Sequence, residues 1–144
     1  MSGFMFTDGQ TGIGGVCPEG RYCPQGTTVP LLCGAGSFTN ISGRSVCLPC
    51  PPGYYCLEAT IMFTETPCPS GRYCPEGTQF GDQYRCPAGT YFNDTGAKEL
   101  SDCLPCPPGT YCETDGLDMY TGLCAPGNVS LFYILNNLYI YLVN

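Results

Sequence analysis

The chain has 144 residues, including 13 Cys, 20 Gly and 14 Pro, and its formal net charge is −7. Only 15 Leu, Ile and Val residues precede position 131, which is too few for a large continuous core, so the composition indicates a disulfide scaffold. The absence of His and the five scattered cations disfavour an enzyme, a nucleic-acid-binding protein and attraction to anionic lipid.

The cysteine content also predicts the compartment. Thirteen cysteines imply an oxidising environment, so we expect an extracellular or cell-surface location. The first residues, MSGFMFTDGQTGIGG, have neither the basic region nor the apolar run of a signal peptide. The odd cysteine count and this start suggest a fragment of a longer secreted or membrane protein.

After a Gly-rich beginning, a short pattern recurs along the chain. C-x-x-G-x-aromatic starts at Cys17, Cys33, Cys50, Cys68, Cys86 and Cys106, with 16 to 20 residues between starts. A seventh start, Cys124, has Val129 where the aromatic residue would be. This periodicity predicts a repeat protein.

The pattern itself predicts a tight turn. Gly permits the positive φ that reverses the chain after each cysteine, and Pro after many of the cysteines stiffens the approach. We expect each aromatic ring to fold over a nearby disulfide. The predicted fold class is therefore small and disulfide-rich, with tandem cysteine-rich modules, mostly irregular with short β-hairpins, and elongated.

A longer period groups these turns into two copies of a six-cysteine framework. Cys17 aligns with Cys68, and Ser130 occupies the position where a third copy would need its second cysteine. The tail is rich in Leu, Ile and Tyr but too short for a membrane span, so it is either a truncated span or non-native sequence, and it carries no functional prediction. The predicted organisation is an irregular leader (1–16), repeat 1 (17–56), a linker (57–67), repeat 2 (68–112), a degenerate start of repeat 3 (113–130) and an apolar tail (131–144).

The cysteine-containing motifs carry a family resemblance. C-P-x-G-x-Y-C, C-x-A-G-[ST]-[FY]-x-N-x-[ST]-G and C-L-P-C-P-P-G-x-Y-C resemble the ephrin-receptor-like cysteine-rich repeat of the growth-factor-receptor cysteine-rich group. They are more loosely similar to tumour-necrosis-factor-receptor modules. The resemblance covers roughly residues 17–127 and implies an extracellular repeat module, while leaving its function open.

The resemblance implies two disulfides, Cys33–Cys47 and Cys86–Cys103, which match the first loop of the related modules. Two arrangements remain open for the other cysteines. In a local arrangement each C-P-x-G-x-Y-C closes on itself, which gives 17–23, 50–56, 68–74 and 106–112. In an interleaved arrangement neighbouring modules are joined, which gives 50–68, 56–74 and 106–124.

Two further motifs have a chemical interpretation. The C-L-P-C pairs Cys47/Cys50 and Cys103/Cys106 have zinc-type spacing, but disulfides are favoured because further cysteines flank each pair in the repeat. No metal or cofactor is predicted. Asn40 and Asn93 begin sequons at the same repeat position, so both are predicted glycosylation sites in exposed loops.

These observations predict a non-catalytic, extracellular spacer, or a protein-interaction or adhesion module, of a larger secreted or cell-surface protein. Its partners would be other extracellular proteins, without nucleic acid, and any membrane contact would come from other parts of a longer chain. The alternative is a ligand-binding fragment of a receptor ectodomain, in which 57–67 contacts a protein. A zinc-binding protein is a third and less favoured interpretation.

Overall fold

The computed structural model describes residues 4–6, 13–124, 132–135 and 138–141, and within them it contains twelve short strands and two 3-10 helices. The strands are β1 (Phe4–Phe6), β2 (Ile13–Val16), β3 (Arg21–Tyr22), β4 (Leu31–Leu32), β5 (Ser37–Phe38), β6 (Leu48–Pro49), β7 (Thr90–Tyr91), β8 (Leu104–Pro105), β9 (Thr110–Tyr111), β10 (Gly122–Leu123), β11 (Phe132–Leu135) and β12 (Leu138–Tyr141). The 3-10 helices are Phe63–Glu65 and Leu100–Asp102. In the described ranges, no helix has the length and apolar character needed to cross a bilayer.

Every sheet is an antiparallel pair of strands that follow one another in sequence, from β1–β2 to β11–β12. Together with six disulfides, these pairs confirm the predicted small disulfide-rich fold with short hairpins. The structure differs from the prediction at the leader, where β1 and β2 pair in a segment expected to be irregular. Gly14 and Gly15 interrupt any alternation of apolar and polar residues there, so the strand left no readable pattern.

We define a step as the segment from one repeat cysteine to the residue before the next, so that step 1 begins at Cys17 and step 6 at Cys106. Each step opens with a turn whose third residue is the repeat glycine. In step 4 the Arg72 N–H donates to the Pro69 carbonyl at 3.3 Å, and Gly71 between them has φ of 74°. The six repeat glycines have φ from 74° to 88°. A positive φ at this position defines a type II turn, and glycine adopts it without a steric cost.

The hairpin that follows the turn has the same register along the array. The repeat aromatic faces the residue two places before the cysteine that opens the next step, as in the pairs Tyr22↔Leu31, Phe38↔Leu48 and Tyr91↔Leu104. Step 4 follows this register, with the Tyr73 N–H donating to the Tyr84 carbonyl at 3.1 Å. A single step is therefore one turn and one minimal hairpin, too small to be stable alone.

Consecutive steps are joined by four backbone hydrogen bonds that recur at equivalent positions. At the junction between steps 4 and 5 the bonds are Cys86 N–H to Gly71 O (2.9 Å), Gly71 N–H to Phe92 O (2.8 Å), Gly96 N–H to Cys68 O (2.8 Å) and Cys74 N–H to Ala97 O (2.9 Å). The same four bonds occur at every junction from step 1 to step 6. The described array is thus a continuous stack in which each step satisfies backbone groups of its neighbours.

Residues 57–67, predicted to be a linker, take part in this stack. The Ala59 N–H donates to the Cys33 carbonyl at 2.8 Å, and the Thr39 N–H donates to the Thr60 carbonyl at 3.3 Å. These are the same bonds that Gly116 and Leu117 provide one six-cysteine copy later. The hydrogen-bonded unit of this array is therefore the single step, and the two six-cysteine copies follow one another without a break in the hydrogen-bonding pattern.

The cysteines themselves form most of the core. Among the residues whose burial the structure describes, the buried apolar ones are Phe38, Ala97 and eleven cysteines: Cys17, Cys23, Cys33, Cys50, Cys56, Cys68, Cys74, Cys86, Cys103, Cys106 and Cys112. Of the repeat aromatics only Phe38 is buried, against Cys50 and Cys56, while the other rings are half-buried. Phe38 therefore packs against the Cys50–Cys56 disulfide as expected, and for the other five rings the packing over a disulfide stays a prediction.

Candidate functional site

The six disulfides are the framework on which any surface of this chain is displayed. Two of them close long loops, Cys33–Cys47 and Cys86–Cys103, with sequence separations of 14 and 17. The other four join cysteines six residues apart: Cys17–Cys23, Cys50–Cys56, Cys68–Cys74 and Cys106–Cys112. Of the two arrangements considered from sequence, the structure contains the local one. Neighbouring steps need no disulfide between them because backbone hydrogen bonds join them.

The C-L-P-C pairs do not gather their sulfur atoms into one site. Cys47 and Cys50 belong to different disulfides, and so do Cys103 and Cys106. Among the residues that the structure describes, no group of three or more Cys, Asp or Glu side chains is placed to hold a metal ion. The two cysteines of each C-L-P-C pair are therefore close in sequence because each belongs to one of two neighbouring disulfides.

Cys124 begins a seventh step in register with the others. Its N–H donates to the Gly109 carbonyl at 2.8 Å, as the preceding repeat cysteines do to the preceding repeat glycines. Its thiol is free and half-buried. Ser130, at the position where a short-loop partner would stand, lies outside the described residues.

The pairing makes a direct prediction about thiol labelling. Alkylation of the unreduced, denatured chain should add one label, on Cys124, because the other twelve cysteines are paired. Intact mass and peptide mapping measure this, and the Cys124→Ser variant should take no label. Linked peptides containing Cys50 and Cys68 would contradict the local arrangement.

Alternate steps touch at the repeat glycines. A Cβ atom on Gly36 would lie 2.6 Å from the Gly77 carbonyl oxygen, two steps further on, and one on Gly53 would lie 3.0 Å from the Gly96 oxygen. Contacts this short leave no space for a side chain. These glycines are therefore needed twice, for the turn and for the close approach of backbone two steps away, whereas Gly109 has open space around a Cβ.

An ion-pair cluster lies on the side of step 4. Arg72 Nε is 2.8 Å from Asp82 Oδ1, and Arg85 binds both carboxylate oxygens of Asp82. Arg85 also lies 3.8 Å from Asp115, and Arg72 donates to the Gly116 carbonyl at 3.1 Å. The cluster therefore links step 4 to step 6.

The sequence did not predict this cluster, since its five cations are scattered along the chain and were expected to form no patch. The hairpin register places Arg72 opposite Arg85. In each hairpin the residue after the repeat glycine faces the residue before the next repeat cysteine. This shared register was the only sequence signal, and an indirect one, that Arg72 and Arg85 would meet. Two like charges placed opposite one another need a counter-ion, which Asp82 supplies.

The cluster predicts acid sensitivity. Hydrogen bonds from Arg85 and then Arg72 lower the pKa of Asp82 from 3.8 to about 2. A carboxyl whose pKa is lower in the folded than in the unfolded chain stabilises the fold at pH values above its unfolded pKa. This contribution is lost as the pH falls from about 3.8 towards 2. Urea denaturation at several pH values should show Asp82→Asn less stable than wild type at pH 6, with the difference vanishing near pH 2.

The control for this measurement is Asp118→Asn, since Asp118 is exposed and forms no ion pair within the described residues. Because all the partners are substantially exposed, we expect a modest effect. An Asp82→Asn variant as stable as wild type at pH 6, or a difference that persists at pH 2, would contradict the role given to this carboxylate.

The two predicted glycosylation sites occupy equivalent exposed positions. Asn40 lies in step 2 and Asn93 in step 5, and both are exposed. Each is followed three residues later by a positive-φ glycine, Gly43 or Gly96, whose N–H binds the preceding step. The asparagines therefore lie between two anchored backbone positions and remain accessible.

An open hollow of about 380 Å³ lies on step 3. It is lined by Ala59, Thr60, Ile61, Met62, Glu65 and Thr66, all within 57–67. In the same segment, the Phe63 ring packs edge-on against Phe38 and Tyr54, with ring centroids 4.9 and 5.1 Å apart. The segment that lines the hollow is thus anchored to step 2 by an aromatic contact.

These features define a class: a disulfide-rich repeat protein in which steps of 16 to 20 residues stack through backbone hydrogen bonds. No protein-family model matches the chain, and no curated protein sequence matches it significantly. Any more specific role is therefore argued from the chemistry of the stack and its surface.

Proposed function

We propose that this chain is a non-catalytic extracellular spacer, or interaction module, of a secreted or cell-surface protein. The observation that supports it best is the recurrence of the same four hydrogen bonds at each junction between steps. Such a stack transmits its orientation from one end to the other, which a spacer requires. The resemblance to ephrin-receptor-like repeats agrees with this role.

The location follows from the same chemistry. Six disulfides are typical of proteins that mature in an oxidising compartment. In a reducing cytosol the chain would lose most of its core, which consists of paired cysteines. We therefore place it outside the cell, where its partners would be other extracellular proteins.

Small-angle X-ray scattering of the secreted, oxidised chain tests the spacer role. We expect the asymmetric distance distribution of a rod, and a shorter longest dimension in a variant lacking residues 17–67, which removes three steps and preserves the register. The reduced and alkylated chain is the control and should scatter as an expanded coil. A symmetric distribution, or an unchanged dimension after the deletion, would overturn the proposal.

We further propose that Asn40 and Asn93 carry N-linked glycans. Exposure at both sites supports this, and glycans would screen a surface rich in Tyr. After expression in a secretory host, glycosidase treatment should lower the mass by that of two glycans. In the Asn40→Gln and Asn93→Gln variants the loss should correspond to one glycan. Ser42→Ala, which keeps Asn40 but destroys its sequon, should behave like Asn40→Gln; no mass shift in any variant would refute both sites.

A receptor-ectodomain fragment that binds a ligand through 57–67 is the second candidate function. The hollow on that segment favours it, because apolar side chains are exposed on a segment that Phe63 anchors to the stack. A spacer and a binding surface are compatible in one stack, since repeat arrays commonly offer both.

A further inference from the structure

The hollow on step 3 combines exposed apolar side chains with charges that are all negative. Ile61 and Met62 line it and are 41% and 52% exposed. The surrounding segment 57–67 contains two carboxylates, the exposed Glu58 and Glu65, and no Lys or Arg. A ligand that fits this surface would bring an apolar group and a positive charge.

The backbone at the hollow is also available for pairing. Met62 has an extended conformation, with φ of −115° and ψ of 100°. Within the described residues, neither the Ile61 nor the Met62 N–H donates a hydrogen bond. An extended segment of another chain can accept hydrogen bonds from such an edge, as in β-strand addition.

The loop that carries the hollow differs from its counterparts at one backbone position, where Gly43, Gly77, Gly96 and Gly116 stand in other steps. Ala59, at its start, has φ of 62° and is the one residue other than glycine with a positive φ in the described ranges. Backbone strain of this kind concentrates at binding sites, where it holds a surface in a set shape.

We propose that the hollow binds an extended segment of another extracellular protein that presents one aliphatic side chain and, two residues away on the same face, Lys or Arg. The aliphatic side chain packs against Ile61 and Met62, the cation pairs with Glu65, and a backbone carbonyl of the segment accepts from the Met62 N–H. This inference rests on the interaction role proposed above and gives it a site and a partner chemistry.

The test is an NMR titration of the full-length oxidised chain with two peptides, acetyl-Lys-Thr-Leu-Thr-Lys-amide and the same peptide with Glu in place of Lys. The basic peptide should shift the amide signals of Ile61, Met62 and Glu65, and added salt should weaken the effect. The acidic peptide should produce no shift at these residues. Equal shifts with both peptides, or none with the basic one, would overturn the proposal.

Matched variants locate the site. Met62→Lys should abolish the shifts, whereas Met119→Lys, at a methionine that is 54% exposed in step 6, should leave them unchanged. Glu65→Gln should weaken binding roughly twofold to fivefold, as expected for an exposed ion pair, and Glu76→Gln should have no effect. Binding that survives Met62→Lys would refute this site. Scattering from the variants stays rod-like in either case, so failure here is separable from failure of the spacer role.

Discussion

Replacement of Gly36 by alanine is expected to lower the free energy of unfolding by roughly 2–5 kcal/mol, one of the two largest effects we foresee. Two causes contribute. Gly36 has φ of 88°, where alanine is disfavoured, and its Cβ would lie 2.6 Å from the Gly77 carbonyl oxygen. Urea denaturation with the disulfides intact measures the change, since small disulfide-bonded domains commonly unfold in one cooperative transition.

Two further glycines separate these causes. Gly96 has φ of 83° but open space around a Cβ, so Gly96→Ala should cost only the conformational part, about 1–2 kcal/mol. Gly34 lies in the same step as Gly36, with no positive φ and open space, so Gly34→Ala should change stability by less than about 0.5 kcal/mol. If Gly36→Ala cost no more than Gly96→Ala, alternate steps would not be in close contact.

The second large effect is expected from the double variant Cys86→Ala/Cys103→Ala. The disulfide closes a loop with a sequence separation of 17, and its loss should lower the free energy of unfolding by about 3 kcal/mol through the greater freedom of the unfolded chain. Removal of Cys68–Cys74, which closes a shorter loop, should cost somewhat less, roughly 2.4 kcal/mol. Denaturation midpoints in urea, with peptide mapping of the remaining disulfides, provide the comparison.

Cys124→Ala is the control for the disulfide variants, because it removes a thiol without removing a crosslink. We expect it to change stability by less than about 0.5 kcal/mol. A loss for Cys124→Ala as large as that for the Cys86/Cys103 pair would show that the cost arises from buried sulfur rather than from loop closure.

Much of the local structure was predictable because its causes lie within a few residues. The interval from each repeat cysteine to its glycine placed the turns, since only glycine adopts the required φ freely at that position. The recurring Gly and Pro residues similarly predicted short hairpins in place of helices. The β1–β2 pair was missed for the converse reason, because its Gly-rich sequence has no side-chain pattern to interpret.

The surface features needed the assembled stack. Arg72 and Arg85 are 13 positions apart in sequence and meet only because the hairpin register sets them opposite each other. The hollow of step 3 was not predicted, because 57–67 was expected to be a linker and its contact with the neighbouring step, Phe63 against Phe38, is visible only in the stack. Side-chain partners across steps are not encoded in any short motif.

By itself, the sequence determined the number of steps, the place of each turn and the dependence on disulfides, because glycine φ preferences and cysteine content act locally or through composition. The tertiary structure decided how the steps join. Backbone hydrogen bonds between consecutive steps connect the array and leave each short-loop cysteine pair to close within its own step. That choice depends on donors and acceptors that belong to different steps, and they become neighbours only when the steps stack.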